Sequence, residues 1–270
     1  MTQKALLVEH LPKTIQVEQY LNQQRYLPSS GNALLAQFDN TSVVVYIAVS
    51  KSIANFAVEH QTLSGVDSGF KLNRASWIKP SFLFMNQRSW WNTKDTHQVG
   101  DDYAKQSRTL AIRIRRDIFD YWINHATTNA YPPSQQYIYR DGDEGMGGVN
   151  EDSVSTMTDI EKWKQDKLKA NITYQWVPDR LPCLPLNGKQ IHQKLSRNVI
   201  QFLLRGPVLS WFASSETILS IEDITPFIEE IRSRLVQLDK NMNVLQWNEA
   251  MKDIWVPSER VYAPLSYPEF

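Results

Sequence analysis

The residues best suited to holding an anion fall in one short stretch. Across the twenty-two residues from Asn73 to Lys94, four strong cations, Arg74, Lys79, Arg88 and Lys94, alternate with the rings of Trp77, Phe82, Phe84, Trp90 and Trp91. A guanidinium binds phosphate through two parallel N–H bonds, and an aromatic face stacks on a base or a nicotinamide-like ring. The mixture therefore suits a nucleotide or nucleic-acid ligand. Gln106, Arg113, Gln175, Arg180, Arg197 and Gln201 extend this inventory of cations and amides. The plainer reading makes the rings core and leaves the cations solvated or paired with carboxylates. Between the two, "WIKPSFLF" is expected to pack, while the four cations surround an anion. Trp90 and Trp91 cannot both face one core if the segment is extended, which favours a functional surface for that pair.

Other chemistries find less support. "DGDEGMGGVNED" opens like a calcium loop, but Met146 stands where the sharp-turn glycine belongs and Asp152 replaces the bidentate glutamate. "GMGGVN" lacks the preceding strand and the third glycine of a dinucleotide fingerprint. No glycine-rich loop ends in Gly-Lys-Ser/Thr. The five histidines, His10, His60, His97, His125 and His192, are isolated from one another. No serine occupies a Gly-x-Ser-x-Gly elbow, and Cys183 has no histidine near it in sequence to activate it.

Strands and helices must position the cations and amides. "TSVVVYIAVS", Thr41 to Ser50, reads as a central strand after the turn signal Asp39-Asn40, and "KSIANFAVEHQ" follows as a helix capped by Ser50 or Ser52. Leu110, Ile112 and Ile114 alternate as a second strand, which passes into a helix near Asp117. "YRDGDEGMGGVNEDSVSTM", about residues 139–157, is rich in glycine and acid and reads as a mobile loop. A short helix follows, with Thr158 and Glu161 at capping-box spacing. Ala170 to Arg180 reads as a strand stopped by Pro178. Gly188 to Arg205 fits one helix, or a helix followed by a strand from Asn198 to Leu204, and "ITPFIEEIRSRLVQL" fits a helix capped by Thr225. Without regular βαβ alternation, these elements predict an α+β fold: residues 31–270 form one mixed domain around a central, largely antiparallel sheet flanked by helices, and residues 1–30 form a helical extension.

Bulk properties narrow the setting. Lys plus Arg is 29 and Asp plus Glu is 29, so any basic site is local rather than a field over the whole molecule. A single cysteine precludes an intramolecular disulfide and suits a reducing compartment. No apolar run approaches the length of a membrane span, so the expectation is a cytoplasmic or nuclear protein without a membrane partner.

Several of these segments also carry a resemblance. "VVVYIAV", "NRASWIKPSFLFMNQRSWW", "KQSRTLAIRI", "ITYQWVPDR", "IQFLLRG", "IEDITP" and "PSERVYAPL" stand in the order and spacing of the family catalogued as domain of unknown function 4291, over roughly Leu34 to the C-terminus. The chain departs from that pattern in its first strand, where the family's Tyr-Gln-Ala-Tyr reads Tyr46-Ile47-Ala48-Val49. Arg74-Ala75-Ser76-Trp77 stands for Arg-Met-Thr-Trp, and Gln87-Arg88-Ser89-Trp90-Trp91 for Tyr-Arg-Ser-Gly-Trp. The element order further resembles that of ADP-ribosyltransferases, with Tyr46, the helix from Lys51, the segment Trp77 to Ser89, and Gln175 or Gln201 in the places of their motifs, although no Glu-x-Glu or Gln-x-Glu pair ends a predicted strand.

That resemblance implies a nucleotide-binding enzyme of the ADP-ribosyl or nucleotidyl transferase type, with NAD as the cofactor it points to. Tyr46, Gln175 and Gln201 would be its catalytic positions, and Gln175 would orient the acceptor. Arg74, Lys79 and Arg88 would hold phosphates and Trp77 or Trp90 would stack, with Ser89, Lys94 and Gln106 completing the ligand contacts. Two alternatives stay open at this point: a protein binding or processing short single-stranded RNA, and a non-catalytic structural or partner-binding domain.

Overall fold

The computed structural model describes residues 10–93, 106–129, 157–183, 194–235 and 244–264. In chain order its strands are β1 (Val17–Gln19), β2 (Ser30–Asn32), β3 (Leu35–Phe38), β4 (Ser42–Val49), β5 (Ser76–Ile78), β6 (Arg108–Arg115), β7 (Thr127–Thr128), β8 (Ile172–Arg180), β9 (Lys194–Leu204), β10 (Ile218–Asp223), β11 (Trp255–Pro257) and β12 (Arg260–Val261). Its helices are α1 (Tyr20–Gln23), α2 (Lys51–His60), α3 (Phe82–Ser89), α4 (Arg116–His125), α5 (Met157–Lys169), α6 (Gly206–Phe212), α7 (Thr225–Leu235) and α8 (Val244–Met251). The α+β class expected from the sequence holds, in a single domain. No helix among the described residues is long and apolar enough to cross a membrane.

Two five-stranded sheets stand in place of one central sheet. The first runs β10-β6-β4-β3-β12, antiparallel throughout. In the second, β9 pairs antiparallel with β8 along one side, while its other side carries β2 at one end and β5 at the other. The sheets meet where Tyr46 of β4 and Lys79, just beyond β5, exchange backbone hydrogen bonds of 2.7 and 3.1 Å.

Alternation along the strands sets the layers. Val43, Val45, Ile47 and Val49 of β4 and Leu110, Ile112 and Ile114 of β6 face a core shared with Ile172, Tyr174 and Trp176 of β8 and Ile200, Phe202 and Leu204 of β9. The opposite face of the first sheet, with Val44, Tyr46 and Ala111, is covered by Phe82 and Met85 of α3, Phe227 and Ile231 of α7, and Met251 of α8. Each fully buried ring or branched side chain contributes about 1.5–3 kcal/mol. Ile15 and Tyr20 belong to this second core, so residues ahead of β2 are built into the domain. Arg116 and Asp120 of α4 fasten the last strand: Tyr262 donates to Asp120 at 2.5 Å, and Arg116 Nη2 reaches the carbonyl of Ala263 at 2.7 Å.

Three local expectations change. β8 continues through Pro178, which sits at a break in register between Pro178 and Arg180 where its missing N–H costs least. The ambiguous run before Arg205 is, over the described residues, the single strand β9 rather than helix then strand. α4 starts at Arg116, and Asp117 lies in its first turn, bonded to Arg115, instead of capping it. The acidic loop expected at 139–157 lies almost wholly outside the described residues.

Candidate functional site

A cavity of about 780 Å³ opens at the junction of the two sheets, within the range of small-molecule sites. One wall is the end of β4, where Ile47, Ala48 and Val49 lead to Ser50. There the β-branched run stops and α2 begins, with Ser50 Oγ accepting from the Ile53 N–H at 3.4 Å. Ser50 and Ile53 both line the cavity, so the electropositive start of a ten-residue helix faces it.

The second sheet supplies the amides. Gln175 of β8 and Gln201 of β9 are directly opposite each other in the ladder, on the face away from the main core, and Gln201 Nε2 donates to Gln175 Oε1 at 3.0 Å. Trp77 of β5 pairs with Leu203, two residues further along β9, and therefore points to the same face. Its ring is half-buried. Lys79 follows two residues later and is only 7% exposed, as is Gln201. Lys79 Nζ donates to the Trp77 carbonyl at 3.2 Å.

The cationic rim comes from two elements. Arg74 and Lys71 stand on the exposed connection ahead of β5, and Arg88 on the last turn of α3. Gln106 lies beside them. Among the described residues the lining thus holds four cations, Lys71, Arg74, Lys79 and Arg88, and no aspartate or glutamate. Neither Arg74 nor Arg88 makes a hydrogen bond or an ion pair with another side chain among the described residues.

Seven residues singled out from the sequence therefore meet here: Arg74, Trp77, Lys79, Arg88 and Gln106, with the Gln175–Gln201 pair. Three others do not. Tyr46 is fully buried in the second core, its ring edge-on to Phe82 at 5.7 Å, because it alternates to the face of β4 opposite Ile47 and Val49. Burial first, and then the charge of Glu259, push its phenol well above the usual tyrosine range, which is unsuited to a base. Ser89 is buried and spends its hydroxyl on the chain, donating to Asn86 O at 3.2 Å and accepting from Asn92 N at 3.4 Å. Trp90 is half-buried and ends α3 without reaching the cavity. Lys94 lies outside the described residues.

The paired tryptophans behave unlike the extended reading. Trp90, Trp91 and Asn92 all adopt left-handed backbone conformations, with φ of 53°, 55° and 65°. The resulting tight turn sends Trp91 fully into the second core, where its indole donates to Cys183 O at 3.1 Å. Asn92 accepts from the Thr109 hydroxyl at 2.7 Å.

Two cations from the wider inventory also prove structural. Arg113 holds Ser42 Oγ at 2.7 Å and Thr14 O at 2.6 Å. Arg197 forms a buried ion pair with Asp179, Nε to Oδ2 at 2.7 Å. Sequence reasoning missed Lys71, Met85 and the apolar wall of Ile47 and Val49, which only the folded position of the connection and of β4 assigns to the cavity.

The family described as domain of unknown function DUF4291 matches residues 33–262. The chain belongs to this family. All the described lining residues fall inside the matched span, and so do the changed positions Ile47, Val49, Ala75 and Ser76. No curated protein matches the chain.

Proposed function

We propose that the cavity binds a phosphate-bearing ligand of the nucleotide class, with NAD as the leading case, and that the protein is an enzyme acting on that ligand. The observation that carries this reading is that Arg74 and Arg88, neither bonded to another side chain among the described residues, line the cavity together with Lys71, Lys79 and a half-buried tryptophan. Arg74 and Arg88 at the mouth would take phosphate oxygens through paired N–H bonds, with Lys79 deeper and Trp77 against a ring. The helix start at Ser50 adds a favourable field for negative charge.

The reaction we propose is ADP-ribosyl transfer, which rests on fold-level analogy in the element order, with Tyr46 and Ser89 outside the site. An acceptor oxygen or nitrogen attacks C1′ of the ribose next to nicotinamide. The C1′–N bond breaks, its electron pair leaves with nicotinamide, and the acceptor's proton passes to water. The gain would come from positioning and from charge stabilisation, and Gln175 would orient the acceptor.

Titration calorimetry with NAD and ADP-ribose tests the reading. Saturable binding is expected, weakened by roughly tenfold or more in Arg88→Ala, since hydrogen bonds to charged groups contribute about 1.5–3 kcal/mol each. No binding by folded wild-type protein refutes it. Binding of a short single-stranded RNA instead, with a salt slope that falls in Arg88→Ala, moves the reading to RNA.

A further inference from the structure

Resting on the reading that this cavity takes a nucleotide-class ligand, we propose that the Gln175–Gln201 pair recognises an amide-type edge of it, an N–H donor beside an acceptor, as in a primary carboxamide or the N6/N1 edge of adenine. The argument starts from the ladder. Residues directly opposite in an antiparallel pair bring their Cβ atoms within about 4.5–5.5 Å, and here one hydrogen bond, Gln201 Nε2 to Gln175 Oε1 at 3.0 Å, fixes both amides relative to each other. That bond leaves Gln175 Nε2 as a donor and Gln201 Oε1 as an acceptor.

Neither of these atoms finds another partner among the described residues, although Gln201 is more than nine-tenths buried. Both atoms keep access to the cavity rather than being enclosed by the chain, so each is open to a ligand. The neighbours along the same face are Val177 and Val199 on one side and Thr173 and Leu203 on the other, and the one polar group among them, the Thr173 hydroxyl, bonds to neither amide. Both glutamines border the cavity, so a ligand there is the available partner. Glutamine presenting a donor and an acceptor side by side is a matched reader of adenine, and a carboxamide offers the same pattern.

Depth gives the ligand a direction. Arg74 and Arg88 are exposed at the mouth while Gln201 is buried at the wall. Phosphates therefore stay outward and the amide edge goes in. The pairing also predicts discrimination against ligands that carry the wrong edge, because a mismatched group leaves both the site and itself unpaired.

The experiment is a calorimetric titration with inorganic pyrophosphate and two matched pairs of mononucleotides: nicotinamide against nicotinic acid, and AMP against IMP. Wild type is expected to bind pyrophosphate and to prefer nicotinamide mononucleotide or AMP over its partner by roughly tenfold or more, as one bidentate pair supplies about 1–3 kcal/mol of discrimination. Which pair shows the preference identifies the edge as carboxamide or adenine. Gln175→Leu, which removes the donor without adding a charge beside the phosphates, should abolish the preference, with thermal melts and pyrophosphate binding checking that the fold and the cationic end persist; Gln175→Glu, which replaces the donor with an acceptor, should erase or reverse the preference. Pyrophosphate binding with no discrimination in either pair, or a preference that survives both variants, overturns this proposal alone. Failure of all five probes to bind overturns the underlying reading and the proposal with it.

Discussion

Breaking the buried pair of Asp179 and Arg197 is the sharpest test of what holds the glutamine ladder in register. The two side chains are 2% and 4% exposed, and the pair lies four residues along each strand from Gln175 and Gln201, with Asp179 inside the register break between Pro178 and Arg180. Arg197 also donates to Gln24 Oε1 at 2.8 Å and to Pro28 O at 3.3 Å, tying the segment before β2 to the ladder. Burial lifts the Asp179 carboxyl above its usual range despite the attraction of Arg197, so desolvation outweighs the ion pair. Truncating one partner strands the other charge in the interior, at about 3–5 kcal/mol, whereas replacing both by apolar groups of similar size is often neutral. Asp179→Ala should therefore lower the midpoint by roughly 6–20 °C, given about 2–4 °C per kcal/mol for a domain near this size. The double variant Asp179→Leu with Arg197→Met should recover most of that loss. Denaturant and thermal unfolding of Asp179→Leu, Arg197→Met and the double measure it as a cycle. A cost below about 1 kcal/mol for Asp179→Ala would mean water reaches the pair, in conflict with the burial argument.

Other expectations follow from the same interior. Glu259 is buried with its Oε1 accepting the Phe82 N–H at 2.5 Å, and burial, then the nearby Asp179 charge, raise its carboxyl well above the usual range. A raised folded value makes its contribution fullest below about pH 4.3, lost as pH rises through the folded value; the stability gap between Glu259→Gln and wild type should widen in favour of the variant with rising pH, and parallel melting curves across pH 4 to 9 would refute this. Asn92→Ala should destabilise by about 2–4 kcal/mol, from left-handed strain and the lost Thr109 bond, and Asn92→Gly by roughly 1 kcal/mol less because glycine accepts that φ; equal costs would show that the backbone is unstrained. Tyr46→Phe, which removes a buried hydroxyl without a partner, should leave ligand binding unchanged and stability equal or higher, checked by calorimetry and melting; a binding defect would return Tyr46 to the site.

What was legible in the sequence was local. The β-branched run to Val49 and the serine after it announce β4 and the capped α2, and alternation at Leu110, Ile112 and Ile114 announces β6. The cation and amide inventory held Arg74, Lys79, Arg88, Gln106, Gln175 and Gln201, which line the cavity, and also Arg113 and Arg197, which do not, because residue type alone does not separate a ligand cation from a structural one. Three kinds of information were not local. Which face Tyr46 takes depends on how β4 is covered on both sides, so alternation alone left it open. The turn at Trp90 to Asn92 uses left-handed backbone that tryptophan rarely adopts, and it depends on long-range partners in Cys183 and Thr109. Arg197 read as a ligand cation because its partner, Asp179, is brought to it only by β8 pairing with β9.

The most direct test of the central claim is a crystal of the protein soaked with ADP-ribose at saturating concentration. The predicted result is ligand density in the cavity at the sheet junction, phosphates at Arg74 and Arg88 and a ring against Trp77. A cavity that stays empty while the fold is intact, or a ligand seated elsewhere, would contradict it.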